Sequence, residues 1–238
     1  MSTPGDGSAG GDSSTVELRR LQEQANRMAL VARWADDLAH EIKNPFHAMV
    51  INLELVKRRA REEGDGLVER TEVVESELHR VHDLVDSLLR LVRPWPDTPR
   101  SDAGRILEQL QPVLAARARV RQIDYRHEGG QASMPLAPGE LALVILNLVD
   151  NALQASPPEG AVTTRCDMAD GAATLTIRDQ GPGLEPGFQP DAAALSDEDG
   201  RGLAVVARLV ERAGGTLLFD SSGTGTVVTV SVPQPQSA

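Results

Sequence analysis

From Leu21 the apolar or small positions run Leu21, Ala25, Met28, Ala32, Ala35, Ala39, Ile42, Phe46, Met49, Leu53, Val56 and Ala60, an unbroken alternation of four and three. Such spacing draws one seam along a helix, suited to knobs-into-holes packing, and its persistence past Pro45 predicts that the helix resumes after the proline. The glycines of "REEGDG" end the pattern. A second seam follows as Leu67, Thr71, Val74, Leu78, Val81, Val85, Leu88 and Val92, and stops at "RPWPDTP". Two helices joined by so short a link form an antiparallel hairpin, which has only half the surface needed to enclose a core. A homodimeric four-helix bundle is the simplest completion; the alternative is an intramolecular coiled coil capped by the rest of the chain.

Beyond that linker the pattern changes to mixed helix and strand. "DAGRILEQLQPVLAARARV" reads as a helix, "RQIDYRH" as a short strand, and "PGELALVILNLVDNALQAS" as a helix with the apolar density of a core element. "GAVTTRCDM" and "AATLTIRD" alternate on either side of "ADG", which predicts a β-hairpin. "DGRGLAVVARLVERAGG" predicts an amphipathic helix entered through glycines, and "GTLLFD" with "SSGTGTVVTVSVP" a final strand pair. The resulting division is a leader at 1–14, a helical hairpin at 15–93, a linker at 94–100, a mixed domain at 101–233 and a tail at 234–238.

Composition narrows the functional classes. A formal net charge of -11 lacks the basic face that nucleic acid or an anionic membrane surface would require. The leader "MSTPGDGSAGGDSS" has neither the basic start nor the apolar run of a secretory signal, and no apolar stretch approaches the roughly 20 residues of a membrane span. A single cysteine, Cys166, precludes an intramolecular disulfide and a cysteine zinc site. A soluble cytoplasmic protein is expected.

Chemistry-bearing residues fall in both halves. In "LAHEIKNPF", His40 lies just outside the seam, Asn44 shares its face one turn on, and Glu41 lies about 100° around the helix. A neutral exposed imidazole is a usable nucleophile, and an adjacent carboxylate can orient it and take its proton; alone, the same pair is an ordinary solvated surface pair. Pro45 gives no N–H to the Glu41 carbonyl, so the helix is expected to bend or loosen there. In the second half Asn147 and Asn151 lie four apart on one helical face, as Mg2+ ligands or as core hydrogen-bonding groups. "DQGPGL" sets Asp179 at a strand end, able to accept from the exocyclic amine of a flat heterocycle, although Asp-x-Gly is also a common turn. The glycine-led helix offers free N–H groups to phosphate, with Arg201 adding a cation. Thr226 can reach Asp179 if their strands are neighbours.

"HEIKNPF" on such a helix resembles the phosphoacceptor motif of bacterial two-component sensor histidine kinases. The order of paired Asn on a helix, Asp-x-Gly-x-Gly after a strand, a glycine-led helix and Gly-Thr-Gly-Thr before a strand is similar to the ATP-binding domain that these kinases share with gyrase, a heat-shock chaperone and mismatch-repair proteins. The fold this implies is α + α/β: an antiparallel hairpin completing a dimeric four-helix bundle, then an α/β sandwich that binds ATP. By the resemblance His40 is the phosphoacceptor, Glu41 its general base and Asn44 the residue that positions water for phosphatase action. Asn147 and Asn151 belong to the Asn box, with Asn151 the Mg2+ ligand. Asp179 binds adenine in a pocket shaped by Gly181 and Gly183, Gly200, Arg201, Gly202 and Leu203 meet the triphosphate, and Thr226 supports adenine. The implied partners are a second copy, the receiver domain of a response regulator and an upstream sensory protein.

The chain departs from the family in its second glycine box, where "EDGRGL" stands for Gly-x-Gly-Leu-Gly-Leu, and in a short acidic lid over 185–199. Acids beside a triphosphate repel it unless a cation intervenes. The leading expectation is an ATP-dependent histidine autokinase. A non-catalytic phosphotransfer scaffold with a degenerate nucleotide domain is the alternative, and an ATPase of the chaperone or topoisomerase class leaves the "HEIKNP" hairpin unexplained.

Overall fold

A computed structural model describes residues 21, 24–59, 67–169, 171–184 and 201–234. Helix α1 covers residues 24–33 and leads, through a turn at Trp34, into α2 (Ala35–Arg59); α3 is Leu67–Val92. The chain barely breaks at that turn, since Trp34 N–H donates to both Leu30 and Val31 carbonyls and Leu38 N–H donates to Trp34. α2 runs through Pro45 as one continuous helix.

The mixed half begins with β1 (Ser101–Asp102), a two-residue strand paired antiparallel with β3 (Ser133–Met134). The apolar pattern gave no notice of so short a pair. Helix α4 (Ala103–Val120) starts where Asp102 caps it, its carboxylate accepting from Arg105 N–H at 2.9 Å, and the last turn carries Arg117 and Arg119, favourably placed at the negative end of the helix. β2 (Asp124–His127) follows. Helix α5 (Pro138–Ala155) opens with proline at its first turn, and Glu140 accepts from Ala137 N–H at 3.1 Å. β4 (Ala161–Ala169) and β5 (Ala172–Arg178) form the expected hairpin, turning at Gly171 with φ +73. α6 (Arg201–Arg212), β6 (Thr216–Ser222) and β7 (Gly225–Pro233) complete the chain.

The main sheet has the order β2-β4-β5-β7-β6, parallel between β2 and β4 and antiparallel elsewhere. Along β5 and β7 buried and half-exposed residues alternate, so one face carries Ala173, Leu175, Ile177, Val228, Val230 and Val232 into a core shared with α4, α5 and α6. This is the two-layer α/β arrangement expected from the sequence.

The hairpin is where structure and expectation differ. Leu30, Trp34, Leu38, Leu84 and Leu91 are buried and belong to the same continuous core as α4 and α5. They lie on a stripe beside the predicted seam. Much of the seam itself is open: Phe46 is 48% exposed and Leu78 56%, and Leu53 and Val85 are exposed as well. The hairpin thus has two apolar stripes, one spent on the second domain and one left facing outward. Among the described residues no helix is long and apolar enough to cross a membrane.

Cys166 is buried at 1% exposure, and burial pushes its thiol up from 9.0 to about 12; burial likewise pushes Tyr125 up from 10.0 to about 12. Both groups must be neutral to remain inside. Their contribution to stability is therefore complete below pH 9 and is lost as pH rises towards 12. Native protein at pH 7.5 is expected to resist a maleimide reagent at Cys166, with labelling appearing only when denaturant unfolds the second domain; rapid labelling of folded protein would contradict the burial.

Candidate functional site

Asp179 follows β5 and sits beside the start of β7, because the β5–β7 ladder that ends at Arg178 opposite Val227 continues one step as Asp179 N–H to the Thr226 carbonyl at 2.9 Å. The carboxylate is 7% exposed. Its Oδ1 accepts from Gly181 N–H at 2.8 Å and Thr226 N–H at 3.1 Å. Oδ2 has no partner among the described residues. One oxygen is thus held by main chain while the other is available to a donor. The surroundings leave no room for larger residues: a Cβ on Gly181 would lie 2.9 Å from the Ala155 carbonyl oxygen, and one on Gly183, where φ is +81, would lie 2.1 Å from that of Ser222. Gly225 backs the same acid, since a Cβ there would lie 2.3 Å from the Asp179 carbonyl oxygen. Ser221 was not anticipated; its hydroxyl lies 3.3 Å from Thr226 Oγ1 and accepts from Leu184 N–H at 2.6 Å. The alternation of β6 could not flag it, because Ser221 works from a sheet edge.

The two asparagines of α5 differ. Asn147 is buried and donates to the Leu143 carbonyl at 2.7 Å, and its Oδ1 abuts Gly202, where a Cβ would be 2.5 Å away. Asn151, one turn on, is half-buried, and its carboxamide has no partner among the described residues. Asn147 and Gly202 line a cavity of about 330 Å³ whose opposite wall is α1, through Asn26, Ala29, Leu30 and Arg33. Leu203 packs against the core from α6. Gly200 and the 185–199 segment lie outside the described residues, as does the side chain of Arg201.

His40 and Asn44 are exposed on α2, and neither has a partner among the described residues. Glu41 does not accompany them. It is 6% exposed, turned inward, and its Oε2 accepts from Arg119 Nε of α4 at 2.9 Å. The expected pairing of His40 with the neighbouring carboxylate is therefore absent in this arrangement: the stripe that docks on α4 carries Glu41 with it, and a guanidinium binds a carboxylate more strongly than a neutral ring does.

Between the asparagines, Asp150 is 1% exposed and gathers donors from both halves. Oδ1 accepts from Trp34 Nε1 at 3.1 Å and Arg117 Nε at 3.3 Å, and Oδ2 from Arg33 Nη2 at 3.3 Å and Gln154 Nε2 at 2.8 Å. Arg117 also pairs with Asp37 and lies over the Trp34 ring, 5.7 Å from its centroid. Hairpin and mixed domain are thus joined through a buried charge cluster. Trp34, Leu30 and Leu38 at steps of four were the readable sign of this contact.

Comparison with known proteins agrees with this architecture. The His Kinase A (phospho-acceptor) domain family matches residues 30–94, and the histidine kinase-, DNA gyrase B- and HSP90-like ATPase family matches residues 137–236. The C4-dicarboxylate transport sensor protein DctB of Rhizobium meliloti is 30% identical in an alignment of 242 positions that covers 92% of this chain and 38% of that protein. The signal transduction histidine-protein kinase/phosphatase MprB of Mycolicibacterium smegmatis is 31% identical in an alignment of 229 positions that covers 87% of this chain and 45% of that one. The chain spans less than half the length of either relative. The solved catalytic domain of histidine kinase ThkA shares the fold of the mixed half, at TM-score 0.50 and 17% identity, over 56% of this chain and 94% of that one. The chain belongs to the two-component sensor histidine kinases.

Replacing Asp150 by Ala removes one partner of a buried ionic cluster and leaves Arg117 and the Trp34 N–H short of an acceptor. The expected cost is about 3 kcal/mol, read as a lower denaturation midpoint together with faster amide exchange over residues 24–45. Exchange in that segment unchanged from wild type would show that the cluster does not hold the hairpin.

Proposed function

We propose that this chain is the catalytic core of a histidine kinase that phosphorylates His40 from ATP and passes the phosphoryl group to an aspartate of a response regulator's receiver domain. Asp179 carries the reading: a buried acid with one oxygen fixed by two main-chain N–H groups and the other unengaged is built to accept from the amine of a planar base such as adenine. Gly181, Gly183 and Thr226 shape that pocket. Asn147 lies against Gly202, and by the family resemblance Gly200, Arg201, Gly202 and Leu203 would meet the phosphates. The unpartnered carboxamide of Asn151 suits a hard cation, and Mg2+ bound with ATP would supply neutralisation of phosphate charge.

The transfer itself asks little covalent work of the protein beyond the nucleophile. A ring nitrogen of neutral His40 attacks the γ-phosphorus, the bond to the bridging oxygen breaks, and ADP leaves with that electron pair. Glu41 takes the ring proton. In the second step a receiver aspartate carboxylate attacks the phosphohistidine and the imidazole departs. Asn44, exposed one turn from His40, is placed to orient water against the phosphorylated regulator, which would give a phosphatase activity like that named for the Mycolicibacterium relative.

The arrangement described is a resting one on this reading. Glu41 is engaged by Arg119, and α1 walls the cavity at Asn147, so both must release before His40 and ATP meet. The outward stripe containing Phe46, Leu53, Leu78 and Val85 suits a second copy, which would complete a four-helix bundle. A cytoplasmic setting and an upstream sensory partner complete the proposal.

Incubation with labelled ATP and Mg2+ tests it. Acid-labile, base-stable label is expected on wild type and is expected to vanish in both His40→Gln and Asn151→Ala. ATP turnover indifferent to His40→Gln would point to a plain ATPase, and absence of label with acceptance from a phosphorylated regulator would favour the phosphotransfer scaffold. Arg119→Ala frees Glu41 and is expected to raise the initial rate of label incorporation several-fold; a lowered rate would show that Arg119 assists rather than restrains.

A further inference from the structure

The linker between the domains is lined with arginine in a way that the phosphotransfer reading does not use. A groove of about 700 Å³ opens between the end of α3, residues 93–100 and the first turns of α4, with Arg90, Arg93, Arg100 and Arg105 on its walls. Two acids share the wall, and both are committed. Asp86 accepts from Arg90 at 2.8 and 3.2 Å, and Asp102 caps α4. The remaining three guanidinium groups form no ion pair among the described residues. Arg100 is held by neutral acceptors, the Ser133 carbonyl at 2.9 Å and the side chain of Gln234, so its orientation is fixed while its charge stays uncompensated. Arg93 and Arg105 have no side-chain partner among the described residues. In a chain with formal net charge -11, an uncompensated basic groove is a local exception.

Apolar residues line the same groove: Pro94, half-buried Trp95, Pro96 and buried Ile106. The Trp95 indole N–H is enclosed and has no acceptor among the described residues. Guanidinium groups match phosphate oxygens in pairs, an indole face accepts a planar ring, and the volume lies within the range of small-molecule sites. We propose that this groove binds a small organic phosphate with a planar ring, its phosphates between Arg93 and Arg105 and its ring against Trp95.

Arg93 closes the hairpin and Arg105 opens the ATP domain, so an occupant ties the two domains together at the point where the chain passes from one to the other. The direct contacts there are the burial of Leu91 in the shared core and a hydrogen bond from Ser87 Oγ to the Gln109 carbonyl at 3.1 Å, to which an occupant would add. Occupancy therefore favours the docked arrangement, in which Arg119 holds Glu41, and slows autophosphorylation. That consequence rests on the kinase reading; the binding does not.

The test is calorimetry of the full chain with guanosine diphosphate and with inorganic pyrophosphate. One site per chain is expected for guanosine diphosphate, weakened by about tenfold or more in Arg93→Gln/Arg105→Gln, as for the loss of charge-assisted bonds, and retained in Asp179→Asn. Trp95→Leu is expected to weaken guanosine diphosphate and spare pyrophosphate. Both arginines are exposed, so that variant is expected to keep the wild-type circular dichroism. Binding that is indifferent to the arginine pair, binding lost in Asp179→Asn alone, or failure of both probes overturns the site. Saturable binding in a chain that incorporates no label from ATP would sink the kinase reading and leave the groove standing.

Discussion

A carboxylate with 1% exposure has to be answered by donors, and at Asp150 the donors come from two domains. Arg117 and Gln154 belong to the mixed half, Trp34 and Arg33 to the hairpin. Removed from the hairpin, the acid would keep half of its partners and regain water. An apolar residue in its place could pack as well and cost less to bury, so the cluster contributes orientation more than net stability. Hydrophobic burial around Leu30, Leu38 and Leu91 holds the halves together; Asp150 and Arg117 decide how they face each other.

Much of the fold was legible because its elements have clear periods. The four-and-three spacing gave the hairpin, and strict alternation on either side of "ADG" gave β4 and β5. The exceptions have a common cause in tertiary context. β1 and β3 are too short to display a period and exist because Ser101 and Asp102 lie against Ser133 and Met134. The predicted seam was real as a pattern, yet within one chain most of the burial falls on the neighbouring stripe of Leu30, Trp34 and Leu38, with Met49 and Val81 the buried members of the seam itself. A helix with apolar residues on two adjacent stripes does not announce which will be covered by its own chain.

At the site, the residues that depend on local geometry were readable and those that depend on docking were not. Asp179 meets Thr226 because β5 and β7 are neighbours, a pairing that strand order made testable from sequence. Glu41 beside His40 suggested a cooperating pair, but helix rotation places successive residues about 100° apart, and that rotation sends Glu41 to Arg119 while His40 stays in water. Ser221 escaped notice because its value lies in contacts across the β6–β7 edge.

Asn147, Asp150 and Asn151 occupy a little more than one turn of α5. That crowding has a thermodynamic consequence. On the proposed reading, whatever bias a bound nucleotide exerts on the hairpin through this turn, the hairpin exerts equally on nucleotide affinity, since coupling free energy between two binding equilibria is reciprocal. Nucleotide affinity would then report on the hairpin without any measurement made on the hairpin itself. A stimulus acting anywhere along α1 or α2 would be expressed first as a change in the dissociation constant for ATP, before a phosphoryl group moves.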